Sequence, residues 1–211
     1  VGVETRDDGC VHRVRGAKSA EQERPARAEP SGGTPAPGPA ARTLDLDRGS
    51  PVEVEATTYD AYGDGEENDD LVAFAVDGIT TDGRSWRTEC YRNDFAAAGK
   101  PGVGLVLTTA TSAEFVGLDL VTAQAGWTAR LYVSDTTGDG LRTADLAAWG
   151  PAIAQLTSER TDNEITFPQR TGRAILILFD SLAGVPADDC FGERPDSRRI
   201  DVIEARALGR T

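Results

Sequence analysis

Short apolar runs recur along the chain from about Leu44 onward, and each is bounded by Gly, Pro, Asp or Asn. The first run, PVEVEATTY at 51–59, alternates apolar and polar residues with the period of two that is typical of a half-buried strand. Eight further runs are rich in Val, Ile, Leu, Thr or aromatic residues: RSWRTECYR, VGLVLTTA, AEFVGLDLV, TARLYVSD, AIAQLTSE, NEITFPQ, RAILILFD and RRIDVIEARAL. This short, regular spacing predicts an all-β fold, an antiparallel sandwich or barrel of about nine strands.

Helical signals in the chain are short. NDDLVAFAV predicts a brief helix with Asn68 or Asp69 as its N-cap, and TADLAAWG predicts another turn or two. Neither segment is long enough to form a helix without a sheet to pack against. The apolar strand positions predict the core: Val52, Val54, Leu105, Leu107, Phe115, Leu118, Leu120, Leu131, Tyr132, Ile175, Ile177, Phe179, Ile200, Val202 and Ala205.

Residues 1–43 differ in composition from the rest of the chain. They are rich in Pro, Ala, Gly, Arg and Glu, and four valines are nearly their only apolar side chains. Such a segment cannot bury enough apolar surface to offset the entropy of ordering it. The sequence therefore predicts a disordered Pro/Ala-rich linker at 1–43 and a folded domain at 44–211.

The chain has a formal net charge of −13, and its acidity belongs to the predicted domain, which carries −14 because residues 1–43 carry seven Lys/Arg and six Asp/Glu. This acidity excludes two classes of partner. Binding of nucleic acid or of anionic lipid headgroups requires clustered Lys and Arg, which the domain lacks. No apolar run approaches the roughly 20 residues that a membrane-spanning helix needs. Any membrane attachment is therefore expected through a segment upstream of Val1.

Histidine and cysteine usage restricts the chemistry of the domain. The one histidine, His12, lies in the predicted linker, which removes Ser-His-Asp and Cys-His catalysis from the folded part and argues against zinc. No spacing of carboxylates singles out a hydrolytic pair, so we predict that the chain is not an enzyme. Cys90 and Cys190 have polar, loop-like surroundings and are candidates for a disulfide, which would place them in an oxidising compartment. Two unrelated thiols are the alternative.

The loop YDAYGDGEENDD at 59–70 is the most acidic stretch of the domain. Calcium prefers six to eight oxygen ligands, and Asp60 and Asp64 fit positions one and five of an EF-hand loop. Tyr62 and Leu71 do not fit positions three and twelve, so the loop is not an EF-hand. The alternative is a solvated turn that leads into the short helix. The loop SDTTGDGLRTAD at 134–145 raises the same question, with a plain hairpin connection as its alternative.

A group of aromatic and charged residues between 86 and 100 suggests a ligand site. Aromatic rings that stack on sugars and charged groups that bind hydroxyls or carboxylates are the usual means of glycan recognition. The candidate ligand-binding residues are Tyr91, Arg92, Asp94 and Lys100. The alternatives are that neighbouring Trp86 fills the core and that Arg92 and Lys100 form ordinary surface ion pairs.

The elements YDAYGDGEEN, AVDG, SWRTECY and KPGVGLVLTT occur in this order within one stretch of the chain. This block resembles the extracytoplasmic discoidin-like (F5/8 type C, galactose-binding-like) domain of actinobacterial MviN/MurJ-type lipid II flippases, and LYVSD, DLAAWG, AILILFDSL and IDVIEARALG follow in the family's order. The resemblance covers about 44–209. It implies an antiparallel jelly-roll β-sandwich with one or two short helices, held outside the membrane on a stalk.

The same resemblance implies a calcium site. Discoidin-like carbohydrate-binding modules hold a structural calcium beside the DG turn, and the matching positions are Asp77 and Glu204. The threonine that usually helps to coordinate the ion corresponds to Arg84, which is expected either to weaken the site or to pair with Asp77 in place of the cation.

Two hypotheses for function derive from the resemblance. The first is a non-catalytic binding module of a membrane-attached cell-envelope protein that recognises cell-wall glycan, either peptidoglycan or a lipid-linked precursor. The second is a protein-interaction or spacer module of an envelope protein that binds no sugar.

Overall fold

The computed structural model describes residues 48–92, 95–137, 139–186, 189–190 and 197–210. The predicted linker at 1–43 lies outside this part of the chain. The described residues form eight antiparallel strands: β1 (Ser50–Pro51), β2 (Glu55–Tyr59), β3 (Trp86–Arg87), β4 (Val103–Thr122), β5 (Trp127–Ser134), β6 (Ala154–Ser158), β7 (Asp162–Ser181) and β8 (Asp201–Arg210).

Two long strands turn one continuous sheet into two layers. β4 and β7 each span 20 residues and pair with each other, with shifts of register between Thr108 and Ala113 and between Phe115 and Gly117 of β4. The front layer contains β2, β5, β6 and the halves of β4 and β7 that pair with them. The back layer contains the other halves of β4 and β7, then β8, with β1 and β3 on the outer side of β8.

This architecture confirms the predicted antiparallel β-sandwich, and it corrects the number of strands. The runs at 103–110 and 113–121 are one strand, because the intervening Thr and Ser residues bend the chain without reversing it. The runs at 163–169 and 173–180 are likewise one strand. Between Thr166 and Arg170 the pairing with β4 shifts register around Pro168, which has no N–H group to donate to a ladder.

The core lies between the two layers. Of the residues predicted to form it, 13 are buried, whereas Val52 and Val54 at the start of the domain are only half-buried. Trp86 is fully buried and packs in this core, which was one of its two sequence-based alternatives. A second, smaller apolar cluster joins Tyr59, Val106, Tyr132, Leu141, Trp149, Ala174, Leu176 and Leu178.

The two predicted helices are present as short 3₁₀ helices. Asp69–Ala75 follows Asn68, whose side-chain amide donates to the Arg87 carbonyl instead of capping the helix. Leu146–Trp149 is capped by Asp145, which accepts a hydrogen bond from the Ala147 N–H group. In the described part of the chain, no helix has the length and apolar character that crossing a membrane would require.

Candidate functional site: a polar cleft beside a buried carboxylate

The acidic loop begins with a carboxylate that points into the protein. Asp60 follows β2 directly and is 2% exposed. Lys100 Nζ lies 2.8 Å from Asp60 Oδ1, and the Gly65 N–H group donates to Asp60 Oδ2 at 3.4 Å. Gly63 closes over this ion pair, because a Cβ atom there would lie 1.8 Å from Asp60 Oδ2. Asp64, in contrast, is exposed and accepts the Glu66 N–H group within the turn.

Glu67, in the same loop, is a fully buried carboxylate that joins three segments. Its Oε1 accepts a hydrogen bond from the Tyr91 hydroxyl, and its Oε2 accepts the Glu89 N–H group at 2.7 Å. Its backbone carbonyl accepts the indole N–H of Trp86 at 2.7 Å. Lys100 Nζ donates to the Tyr91 oxygen at 3.2 Å, so the Glu67 and Asp60 networks are continuous.

This network contains one ammonium group for two buried carboxylates, and the imbalance affects Glu67. Burial, reinforced by the charge of Asp60, raises the pKa of Glu67 to about 7, against the lowering effects of Tyr91, the Glu89 N–H group and Lys100. Burial also raises the pKa of the Tyr91 hydroxyl, with a further increase from the neighbouring Glu67. The pKa of Glu67 therefore lies near neutral pH, so the protonation of this carboxyl changes in that range.

Arg142 joins the two acidic loops that the sequence presented as separate candidates for calcium. Its guanidinium forms an ion pair with Asp69 and donates to the Gly65 carbonyl at 3.0 Å and to Thr58 at 3.1 Å. Burial alone raises the pKa of Asp69, but hydrogen bonds from Thr58, the Glu67 N–H group and Arg142 bring it below its ordinary value. The Arg142 guanidinium therefore links the two loops, each of which was a separate candidate for calcium.

Beside Glu67 lies a cleft of about 430 Å³ that we call the polar cleft. Side chains with hydrogen-bonding groups make up most of its lining: Asn68, Arg87, Thr88, Glu89, Cys90 and Arg199. Arg199 is held by a two-point ion pair with Asp201 and by the Asp189 carbonyl. Within the part of the chain that the structure describes, the Arg87 guanidinium and the Glu89 carboxylate have no protein partner. These two groups are therefore open to a ligand.

A disulfide borders the polar cleft. Cys90 and Cys190 are bonded, with their Cα atoms 5.6 Å apart across 100 residues of sequence. This bond ties the segment that carries Glu89 and Tyr91 to a distant part of the chain.

The structure brings together two of the four predicted ligand-binding residues. Lys100 Nζ donates a hydrogen bond to the Tyr91 hydroxyl oxygen and lies 5.2 Å from the centre of the Tyr91 ring. Both side chains belong to the network below the cleft. Arg92 is exposed, and Asp94 lies outside the described residues. A role in ligand binding remains a prediction for all four residues.

The carboxylates of the implied calcium site already have protein partners. Glu204 Oε2 accepts the Gly78 N–H group at 2.9 Å, and Arg206 lies 3.6 Å from its other oxygen. Burial raises the pKa of Glu204. Arg84 lies 3.5 Å from Asp77 Oδ2, which is the pairing that was one sequence-based alternative. As arranged, these contacts do not fit a calcium ion.

Among the residues with described positions, no three Asp, Glu, His or Cys side chains are grouped as a metal site would need. Asp60 and Asp64 point in different directions, one to Lys100 and one to the backbone of its own turn. Calcium binding stays a prediction, which an Arg84→Thr variant can test.

The sequence did not identify three residues as parts of the site: Glu67, Arg142 and Arg87. Glu67 is one of six carboxylates in its loop, and its burial depends on contacts with residues 19 to 24 positions away. Arg142 contacts residues more than 70 positions away. One sequence feature did indicate that part of the acidic loop is buried. The loop immediately precedes an apolar segment, and packing of that segment brings the loop back against the sheet.

The structure resembles solved β-sandwich domains. A chain of the Streptococcus pneumoniae beta-galactosidase BgaA matches with a TM-score of 0.50 and 15% identity, over 81% of this chain and 96% of that chain. Chitosan-binding module 1 of the chitosanase/glucanase from Paenibacillus sp. IK-5 matches with a TM-score of 0.47 and 18% identity, over 75% and 96%. CpGH89CBM32-6 from Clostridium perfringens matches with a TM-score of 0.48 and 10% identity, over 74% and 94%.

No protein-family model matches the chain, and no curated protein sequence is similar to it. At 15% identity, the match to the BgaA chain concerns the fold alone. It agrees with the antiparallel β-sandwich that the sequence predicted.

Proposed function

We propose that this chain is a non-catalytic extracytoplasmic module of a membrane-attached cell-envelope protein. In this proposal it recognises cell-wall glycan, either peptidoglycan or a lipid-linked precursor, in the polar cleft. The observation that carries the proposal is the cleft itself, in which Arg87 and Glu89 face the same space without partners among the described residues. Sugar hydroxyls both donate and accept hydrogen bonds, so a guanidinium and a carboxylate together match them.

The walls of the cleft are fixed before a ligand arrives. Asn68 donates to the Arg87 carbonyl, Glu67 holds the Glu89 backbone, and Asp201 holds Arg199. The disulfide at Cys90 adds a covalent restraint. Because the backbone is already restrained, the loss of conformational entropy on binding is confined mainly to the side chains of Arg87 and Glu89.

The lining of the cleft argues against glycoside hydrolysis. Glu89 is the only carboxylate among the lining residues that the structure describes, whereas hydrolysis uses a pair on opposite sides of the scissile bond. Glu67 has the raised pKa of a general acid, but its side chain is completely buried and cannot reach a substrate. The disulfide supports an oxidising, extracytoplasmic location.

A sedimentation assay with purified sacculi tests the proposal. We expect the full chain to pellet with sacculi, and we expect the variant Arg87→Ala/Glu89→Gln to stay in the supernatant. Arg160→Ala, at an exposed position outside the cleft, serves as the matched control and should pellet like the wild type. Runs with calcium and with EDTA show whether the ion contributes.

One observation favours the second hypothesis, a protein-interaction or spacer module. Among the described residues, no aromatic side chain lines the cleft. Tyr62, the only exposed aromatic residue in this part of the chain, lies instead against Asp145. Glycan sites usually offer a ring for the sugar face to stack on. A wild-type protein that remains in the supernatant at every calcium concentration would favour a protein partner.

A further inference from the structure

A second cavity, of about 380 Å³, lies where the start of β2 meets the middle of β4. We call it the β2 cavity. Its lining residues are Glu53, Val54, Glu55, Thr108, Thr109, Ala110, Thr137 and Arg173, none of which lines the polar cleft. The β2 cavity is therefore a separate feature of the molecule, and a ligand bound there would be independent of the proposed glycan binding.

Arg173 lines this cavity with most of its hydrogen-bonding capacity unused. Its Nη2 donates to the Ala110 carbonyl at 2.7 Å. Its Nε–H group is buried and has no hydrogen-bond partner among the described residues. No described carboxylate forms an ion pair with this guanidinium, so its positive charge is open to an anionic group bound in the cavity.

Two carboxylates line the same cavity and are also unpaired. Glu53 and Glu55 are exposed, and neither has an ion-pair partner within the described ranges. Neither carboxylate forms an ion pair with Arg173. Val54 and Ala110 contribute aliphatic surface to the same lining, and Thr108 and Thr137 contribute hydroxyls.

From this arrangement we infer that the β2 cavity binds a small zwitterion whose carboxylate meets Arg173 and whose ammonium group meets Glu53 and Glu55. A guanidinium binds a carboxylate through two parallel hydrogen bonds, and an ammonium group forms charge-assisted hydrogen bonds with carboxylates. Methylene groups between the two charges fit against Val54 and Ala110. The chemical class is that of an amino acid, with the charge separation set by the cavity.

A series of ω-amino acids of increasing length tests this inference. Glycine, β-alanine, 4-aminobutyrate and 6-aminohexanoate are titrated into the isotopically labelled full chain, with amide shifts of Thr108 and Ala110 as the readout. One member should bind best, because only one length spans the distance between the charges. Hexanoate and hexylamine each carry one of the two charges and should bind at least tenfold more weakly than that member.

Variants separate recognition from folding. Arg173→Met should weaken binding at least tenfold, and Glu53→Gln/Glu55→Gln should do so without loss of stability, since both glutamates are exposed. Arg170→Met, an exposed arginine of the same strand outside the cavity, is the control and should bind like the wild type. The inference is overturned if no member of the series shifts these amides, if hexylamine binds as well as the best zwitterion, or if the double glutamate variant binds unchanged.

Discussion

The hydroxyl of Tyr91 donates a hydrogen bond to the carboxylate of Glu67, which is fully buried although it belongs to the most acidic loop of the domain. The same carboxylate holds the Glu89 backbone, which forms a wall of the polar cleft. The loop is therefore not a plain solvated turn, and calcium binding by it stays a prediction. One of its carboxylates supports the cleft from below.

The pH dependence of stability tests this role of Glu67. Its pKa is about 7 in the folded state against 4.5 for the free side chain, so the folded protein holds a proton that the unfolded chain releases. This contribution to stability is complete below about pH 4.5 and is lost as the pH rises through about 7. Relative to Glu67→Gln, the wild type should lose about 2–3 kcal/mol of unfolding free energy between pH 5 and 8.

Urea denaturation at several pH values measures this difference directly. Glu66→Gln, at the exposed neighbouring position, is the control and should follow the wild type across the range. A stability difference between wild type and Glu67→Gln that stays constant with pH would mean that Glu67 does not take up the proton.

Gly63→Ala should destabilise the loop, because a Cβ atom there would lie 1.8 Å from Asp60 Oδ2 and 2.5 Å from Lys100 Nζ. Overpacking of this kind costs about 1–3 kcal/mol. Gly140→Ala is the matched control, since a Cβ atom at that position meets nothing within 4 Å. Thermal melts of both variants check the prediction, and equal midpoints would show that the loop does not close tightly over the Asp60–Lys100 pair.

Arg142→Met should loosen the two acidic loops from each other. The substitution keeps the aliphatic stem but removes the ion pair with Asp69 and the hydrogen bond to the Gly65 carbonyl. Loss of hydrogen bonds to a charged group predicts a cost of about 1.5–3 kcal/mol. A double-mutant cycle with Asp69→Asn measures the pairwise term, and an interaction energy near zero would contradict the proposed link between the loops.

Arg84→Thr tests whether the arginine stands in for calcium. Arg84 lies against Asp77 and is also paired with Asp82. We predict that the melting temperature of the wild type is the same in calcium and in EDTA, because the carboxylate oxygens already have partners. Arg84→Thr frees Asp77 and should gain a calcium-dependent increase in melting temperature. Destabilisation of the wild type by EDTA would instead show that calcium binds despite Arg84.

The sandwich was predictable from the sequence because strand burial leaves a period of two, as at 51–59, and because Leu105, Leu107, Ile175 and Ile177 occupy alternate positions. Strand continuity was not predictable at Thr108–Ala113, where the chain bends between layers without any Gly, Pro or Asn to mark the change. Periodicity reports which side chains face inward, but it does not report how far a strand continues.

The candidate site was harder to predict than the fold. Tyr91 and Lys100 were identified from their chemical types, and they do meet, but as part of a network around Glu67 and Asp60. In a loop with six carboxylates, local sequence carries no information about which two are buried. That outcome depends on contacts made only after the sheet has formed.

Glycan recognition by the polar cleft can be measured by an amide-shift titration of the full chain with soluble peptidoglycan fragments released by muramidase digestion. We predict saturable shifts at Asn68, Arg87, Thr88 and Glu89, and their loss in Arg87→Ala/Glu89→Gln. An absence of shifts at these four amides, or shifts that persist unchanged in the double variant, would contradict glycan recognition by the cleft.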